Sequence, residues 1–172
     1  MRYSLLLFFV IFLYSCGKKE VTVITFPDEL ELINTNGSPA EPCLTCEKML
    51  VTYFGMNETR PLSMFRSMLI KRFEDLKTKH PELPVILIFG GENKELGLNK
   101  TYLEDLLSEN QFPYSVFYDK ENKFFGLNHL EYFPYERNDV QMYLVKEGQV
   151  FSSAEMGIPE LFEKQVQDFL QP

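Results

Sequence analysis

Met49-Leu50-Val51-Thr52-Tyr53-Phe54-Gly55 is the stretch whose conformation separates the possible folds of this chain. Its β-branched and aromatic residues and its closing glycine favour a strand, although Cys46, Met49, Leu50, Tyr53 and Phe54 also fall at helical spacing. Downstream, Pro61 opens a helix whose apolar face is Phe65, Met68, Leu69, Phe73 and Leu76, with Arg66, Lys71, Arg72, Glu74 and Lys77 opposite; it ends near Lys79, before His80-Pro81. Val85-Ile86-Leu87-Ile88-Phe89 has no polar alternation and stops at Gly90-Gly91, as a central strand covered on both faces would. Thr101 and Glu104 read as a capping box for a helix striped by Leu103, Leu106 and Leu107. Pro113 ends that element. A strand over residues 114–118 follows, then the turn Asp119-Lys120-Glu121-Asn122, a hairpin over residues 140–151 turning at Glu147-Gly148, and a last helix from Pro159 to Leu170. Upstream, Cys43-Leu44-Thr45-Cys46 directly precedes the opening stretch, behind a Pro-, Asn- and Gly-rich loop over residues 34–42. Before that loop, Val21-Thr22-Val23-Ile24-Thr25-Phe26 reads as a strand stopped by Pro27-Asp28, and Leu30-Glu31-Leu32-Ile33 as a second, short one. From Met49 the order is strand, helix, strand, helix, strand, strand, helix, which implies an α/β fold with a mixed sheet covered by helices.

Composition narrows the function classes. The chain has 172 residues, 17 basic against 25 acidic side chains and a net charge of −8, so it lacks the basic footprint that supplies most nucleic-acid affinity. At this length a chain buries roughly 68–70% of its unfolded surface and needs no disulfide or metal lattice to form a core. A hydrophobic content of 45% is too high for a disordered chain.

The amino terminus reads as a cleaved signal. Arg2 is followed by ten apolar or aromatic residues, 5–14, which as a helix would cover about 15 Å of a bilayer core about 30 Å thick. Leu13-Tyr14-Ser15-Cys16-Gly17 resembles a bacterial lipobox, with Leu three before the Cys, a small residue directly before it and Gly after it; Tyr14 is bulkier than usual. By resemblance to bacterial lipoproteins, Cys16 would be acylated and become the mature N-terminus. Loss of Arg2 would then make the net charge one unit more negative. Only Gly17-Lys18-Lys19-Glu20 separates Cys16 from the first strand-like segment, so the domain should sit close to the lipid. Charged residues just after the Cys also resemble the surface-export signals of some Bacteroidota lipoproteins.

The element order is similar to the thioredoxin fold. Residues 85–91, Phe112-Pro113-Tyr114-Ser115-Val116-Phe117-Tyr118-Asp119, Asn122-Lys123-Phe124-Phe125-Gly126-Leu127-Asn128 and the hairpin around Glu147-Gly148 resemble the redoxin-type thioredoxin-like lipoproteins of Bacteroidota. The resemblance implies a mixed central sheet with helices on both faces, closed by a C-terminal β-hairpin and helix. It also implies where a dithiol should stand. Active relatives carry Cys-x-x-Cys after the first central strand, where the next helix's N-terminus stabilises a thiolate. If residues 49–54 form that strand, the corresponding positions are Met56-Asn57-Glu58-Thr59-Arg60-Pro61-Leu62-Ser63, which contain no cysteine. Cys43 and Cys46 would then precede the strand, about 20 Å from the usual redox end at about 3.3 Å per residue. The competing alignment makes residues 46–54 part of the first helix, with Cys43 at its start. It needs a strand where residues 34–42 offer a loop. Active relatives also place a cis-proline directly before the strand facing the cysteines, whereas Pro134 lies six residues before Val140.

Three regions are therefore expected: a lipoprotein signal peptide over 1–15, a lipidated tether with a strand and the Cys-x-x-Cys loop over 16–48, and a thioredoxin-like domain over 49–172. In an oxidising envelope, Cys43 and Cys46 are expected to pair as a disulfide. Zinc would require His80 and His129 to complete a four-ligand set, and neither lies near a second Cys or His; no metal or cofactor is expected. Asn57-Glu58-Thr59 and Asn99-Lys100-Thr101 are formal glycosylation sequons, which a bacterial anchor leaves without use. Gly90-Gly91-Glu92 lacks the Lys-Ser or Lys-Thr of a phosphate loop. Tyr132-Phe133-Pro134-Tyr135 is either core or an aromatic docking surface, His80 reads as solvated or capping, and His129 has no visible partner. Two functions remain in view. The first is a membrane-anchored envelope lipoprotein, without the usual dithiol, that binds or assembles with an envelope protein. The second is a thiol-disulfide oxidoreductase with Cys43 and Cys46 as catalytic residues and Cys43 as nucleophile.

Overall fold

The structure is a computed structural model that describes residues 20–34, 42–132 and 140–171. The lipobox with Cys16, most of the loop over 34–42, and Phe133, Pro134 and Tyr135 lie outside the described residues. Residues 49–55 lie in a strand, β2 (Lys48–Gly55), buried at every position but its first. The helical alternative for residues 46–54 is thereby removed. Around it stand β1 (Glu31–Ile33), β3 (Val85–Gly90), β4 (Val116–Asp119), β5 (Val140–Lys146) and β6 (Gln149–Ser153). They form one six-stranded sheet in the order β1-β4-β3-β2-β5-β6. β2, β3 and β4 are mutually parallel, while β1 on β4, β5 on β2 and β6 on β5 are antiparallel.

The helix after β2 starts two residues before Pro61, which has no N–H to lose in a first turn. It runs as α1 (Thr59–Met64), a π-helical stretch (Phe65–Leu69) and α2 (Ile70–Lys79). The wider π turn brings Ile70 into the core and leaves Met68 half-buried, a shift that a uniform helical period does not contain. α3 (Lys100–Glu109) is not capped by the Thr101–Glu104 box: Asn99 is the cap, its side chain accepting from the Tyr102 N–H at 3.0 Å. Asn outranks Thr as a cap, and its position moves the helix start forward. α4 (Lys123–Leu127) and a 3-10 turn (Leu130–Tyr132) follow β4, and α5 (Pro159–Leu170) closes the fold.

Alternating side chains of the central strands feed two cores. Against α1, α2, α3 and α5 lies an aromatic cluster in which Phe65 meets Phe54, Phe89 and Phe112 edge-on, at 5.2, 5.2 and 5.0 Å between ring centroids. Such pairs add about 0.5–1.5 kcal/mol each beyond burial. On the other face, Tyr53, Ile86, Ile88, Tyr143 and Val145 pack under Phe124, Leu130 and the amino-terminal segment. That segment is not the strand expected over residues 21–26. It makes a single bridge, Val23 to Gln149 on the β6 edge, with Ile24 N–H donating to Gly148 O at 2.9 Å and Val150 N–H to Thr22 O at 2.8 Å. It then crosses the sheet face, where Thr25 N–H donates to Asn128 Oδ1 at 2.6 Å and Asn128 Nδ2 returns a bond to Thr25 O at 2.9 Å. Pairing with one side-chain amide replaces the ladder that β-branched residues alone suggested.

Among the described residues, Thr52 Oγ1 in the middle of β2 is a buried hydroxyl without a hydrogen-bond partner. A buried unsatisfied polar group costs about 1–3 kcal/mol. Thr52→Val keeps the shape and removes the hydroxyl, so urea unfolding should give a stability higher by about 1 kcal/mol.

Candidate functional site

The chain enters β2 through the cysteine pair. Leu44 and Thr45 form a turn, and Cys43 and Cys46 are joined as a disulfide with Cα atoms 5.5 Å apart. Cys43 is exposed; Cys46 is half-buried against the core that contains Met49 and Val51. Immediately after it the strand is fastened: Glu147 N–H donates to Glu47 O at 2.6 Å, and Lys48 Nζ donates to Leu170 O at 3.3 Å and Gln171 O at 2.7 Å. The cation thus sits at the carbonyl end of α5, where the helix field favours it.

Beside Cys43 opens a cavity of about 340 Å³. Three connections meet there: the approach to β2 at Pro42 and Cys43, the passage from α2 into β3 with Lys77, His80 and Pro81 to Val85, and the approach to β4 at Tyr114 and Ser115. Its walls are mainly proline, Leu83, Val85 and Tyr114, and its polar groups are engaged within the protein. Lys77 Nζ donates to Pro113 O at 2.7 Å and lies 5.4 Å from the Tyr114 ring centroid. Tyr114 OH donates to Phe73 O at 3.3 Å, and burial pushes that phenol above its ordinary range, so it stays protonated. Ser115 Oγ and Asn34 Oδ1 are 2.8 Å apart. His80, expected to be solvated or capping, caps α2, its N–H donating to Leu76 O at 2.8 Å, and its ring is 13% exposed and ties α2 to α5, with Nε2 2.9 Å from Glu163 Oε1. The geometry therefore offers an apolar recess next to an accessible disulfide.

The opposite edge, where β2, β3 and β4 end, has no cysteine among the described residues. Met56 N–H donates to Gly90 O at 2.7 Å, and Asn93 Nδ2 donates to Asn57 O at 2.8 Å. Gly91 holds φ +88°, and a Cβ there would come within 2.6 Å of Asn57 Oδ1. Tyr53 OH donates to Asn122 Oδ1 at 2.8 Å, while the Asp119 carboxylate accepts from the N–H groups of Lys123 and Phe124 at 3.0 and 2.7 Å. Tyr118 OH donates to Glu92; burial, then that carboxylate, raises its pKa. These contacts close the β2–α1 connection with amides and carboxylates in place of sulfur.

Neither edge, nor any other described part, gathers three or more His, Cys, Asp or Glu side chains as a metal would require. His129, read as partnerless, has its Nδ1 3.3 Å from Glu131 Oε1 and stacks on Tyr132 at 5.7 Å. The cavity residues Lys77 and Tyr114 had no sequence signal as a pair, because three separate connections bring the wall together.

This architecture is a thioredoxin-like fold. Among solved structures it is similar to a thioredoxin-like protein studied in its oxidised form, at TM-score 0.59 and 14% identity over 88% of this chain and 97% of the other. A protein from Bacteroides thetaiotaomicron described as a putative protein disulfide isomerase aligns at TM-score 0.48 and 16% identity, over 71% of this chain and 70% of its own. A thioredoxin-like protein from Porphyromonas gingivalis aligns at 0.44 and 13%, over 72% and 73%. No family model matches the chain, and no curated protein matches it.

The His80 contact gives the cavity wall a pH dependence. Glu163 is held below the ordinary glutamate range, first by its hydrogen bond to His80 and then by Lys79. A depressed carboxylate contributes stability that is present above the unfolded pKa of about 4.3 and lost as pH falls through the lower folded value. Glu163→Gln should therefore unfold with a smaller change in midpoint between pH 5 and pH 3 than the unsubstituted protein, as read by thermal denaturation.

Proposed function

We propose that this chain is a lipid-tethered, envelope-facing lipoprotein whose thioredoxin-like domain acts by binding or assembly with an envelope protein, without dithiol catalysis at the usual edge. One observation carries this: the connection from β2 into α1, Met56-Asn57-Glu58, holds no cysteine and is closed by Gly90, Asn93 and Asn57. The lipobox ending at Cys16 supports the tether. No described helix is long and apolar enough to cross a membrane, so attachment would rest on the acyl chains.

A second reading is favoured by the exposure of Cys43 at the mouth of the cavity. There a partner thiolate would attack Cys43 Sγ, the Cys43–Cys46 bond would break, and Cys46 would leave as thiolate. A second partner thiol would then release Cys43, so two electrons pass from the partner's dithiol to this disulfide.

Insulin reduction by dithiothreitol separates the two readings. The chain from Gly17 onward and its Cys43→Ser, Cys46→Ser variant should both leave the rate at that of dithiothreitol alone. Turnover by the first that vanishes in the variant would overturn the binding reading. The tether is tested in cells: the natural chain should incorporate labelled palmitate and the Cys16→Ser chain should not, and equal labelling of both would refute lipid attachment at Cys16.

A further inference from the structure

The place where the tether joins the domain is marked by exposed apolar side chains. Glu20-Val21-Thr22 borders two surface recesses. One also contains Val23, Leu127, His129 and Tyr132; the other contains Phe151. Val23 and Leu127 are 45% and 49% exposed, two of the seven large hydrophobic residues left open on the described surface, whereas the Phe151 ring stacks on Phe169 of α5 at 5.4 Å, across the sheet. His129 and Tyr132 stack beside them, and aromatic rings with a polar tip suit a boundary between water and hydrocarbon. Two carboxylates, Glu20 and Glu131, also lie here, so an anionic surface would gain little from this face.

From these positions we propose that the face around Glu20, with Val23 and Leu127, docks on the lipid surface that carries the anchor. The proposal rests on acylation of Cys16. From Cys16 to Glu20 the chain reaches at most about 14 Å, at about 3.3–3.6 Å per residue. A domain of this size has a radius of gyration of about 15 Å and is more than about 30 Å across. The tether is therefore shorter than the domain is wide, and only the face where it enters can stay against the membrane. Two apolar side chains would not hold a free domain on a bilayer, but a short tether supplies a local concentration of the order of millimolar. Docking then orients the domain without an independent membrane-binding element.

The chain contains no Trp, so single substitutions give clean reporters. Lipidated full-length protein carrying Val23→Trp, Leu127→Trp or, as control, Leu96→Trp is reconstituted into vesicles of phosphatidylcholine with brominated acyl chains. Leu96 is 53% exposed in the connection from β3 to α3. Quenching should be several-fold stronger at positions 23 and 127 than at 96. Hydrogen exchange on the unsubstituted protein should slow in residues 20–25, 127–132 and 149–153 on moving from detergent to vesicles. Co-sedimentation with equal quenching at all three positions and unchanged exchange overturns the docking face and leaves the anchor standing. Failure to co-sediment overturns both.

Discussion

A strand hydrogen-bonded along both edges and buried on both faces cannot slip by one residue without turning its side chains out of their cores. β2 is held in that way: Leu50 faces Val85 on the parallel side and Leu144 on the antiparallel side, and the same register continues to Phe54 opposite Phe89 and Val140. Each neighbour inherits its orientation. Parallel β3 requires the long crossover that α1 and α2 supply, while antiparallel β5 needs only to return and pair with β6 through a tight turn. Glu147 and Gly148 at φ +52° and +76° make that turn in the left-handed region, which matches strand twist.

Fixing β2 also fixes which chemistry belongs to which edge. The chain enters the strand through the Cys43–Cys46 disulfide and leaves it through Met56-Asn57-Glu58, so strand direction alone separates the sulfur from the connection into α1. At the exit, amide and carboxylate hydrogen bonds fill the space around Gly90 and Gly91. At the entrance, the ends of three connections leave an apolar recess that no one of them contains.

Local signals carried much of this. The uninterrupted run Val85-Ile86-Leu87-Ile88-Phe89 could only be satisfied by a strand covered on both faces, and Pro159 and Leu170 bound the last helix in sequence and structure alike. Local signals failed where distant partners decide. The bond pair between Thr25 and Asn128 spans 103 residues, and it turns a β-branched segment away from the ladder its composition favours. Asn99 took the cap from Thr101 because the helix begins earlier than the capping-box pattern implies. At the site, the displacement of the cysteines was legible from their spacing to Met49. The recess was not, since Lys77, Leu83 and Tyr114 share neither a period nor a motif.

The electrostatics of the two edges also differ, and the difference bears on the cysteines. A thiolate gains from a helix N-terminus, which carries about half a positive charge; a C-terminus carries the opposite sign. The disulfide lies among C-terminal ends. α2 finishes at the cavity it shares with Cys43, and the last carbonyls of α5 stand at Lys48, two residues beyond Cys46. Lys48 is occupied with those carbonyls, and Lys77 with the carbonyl of Pro113. Neither cation is turned toward the sulfurs by these bonds, so the surroundings do little to favour negative charge there. Ready exchange requires both an attackable sulfur and a leaving thiolate that its surroundings stabilise. Exposure of Cys43 meets the first requirement, while the fields around Cys46 work against the second.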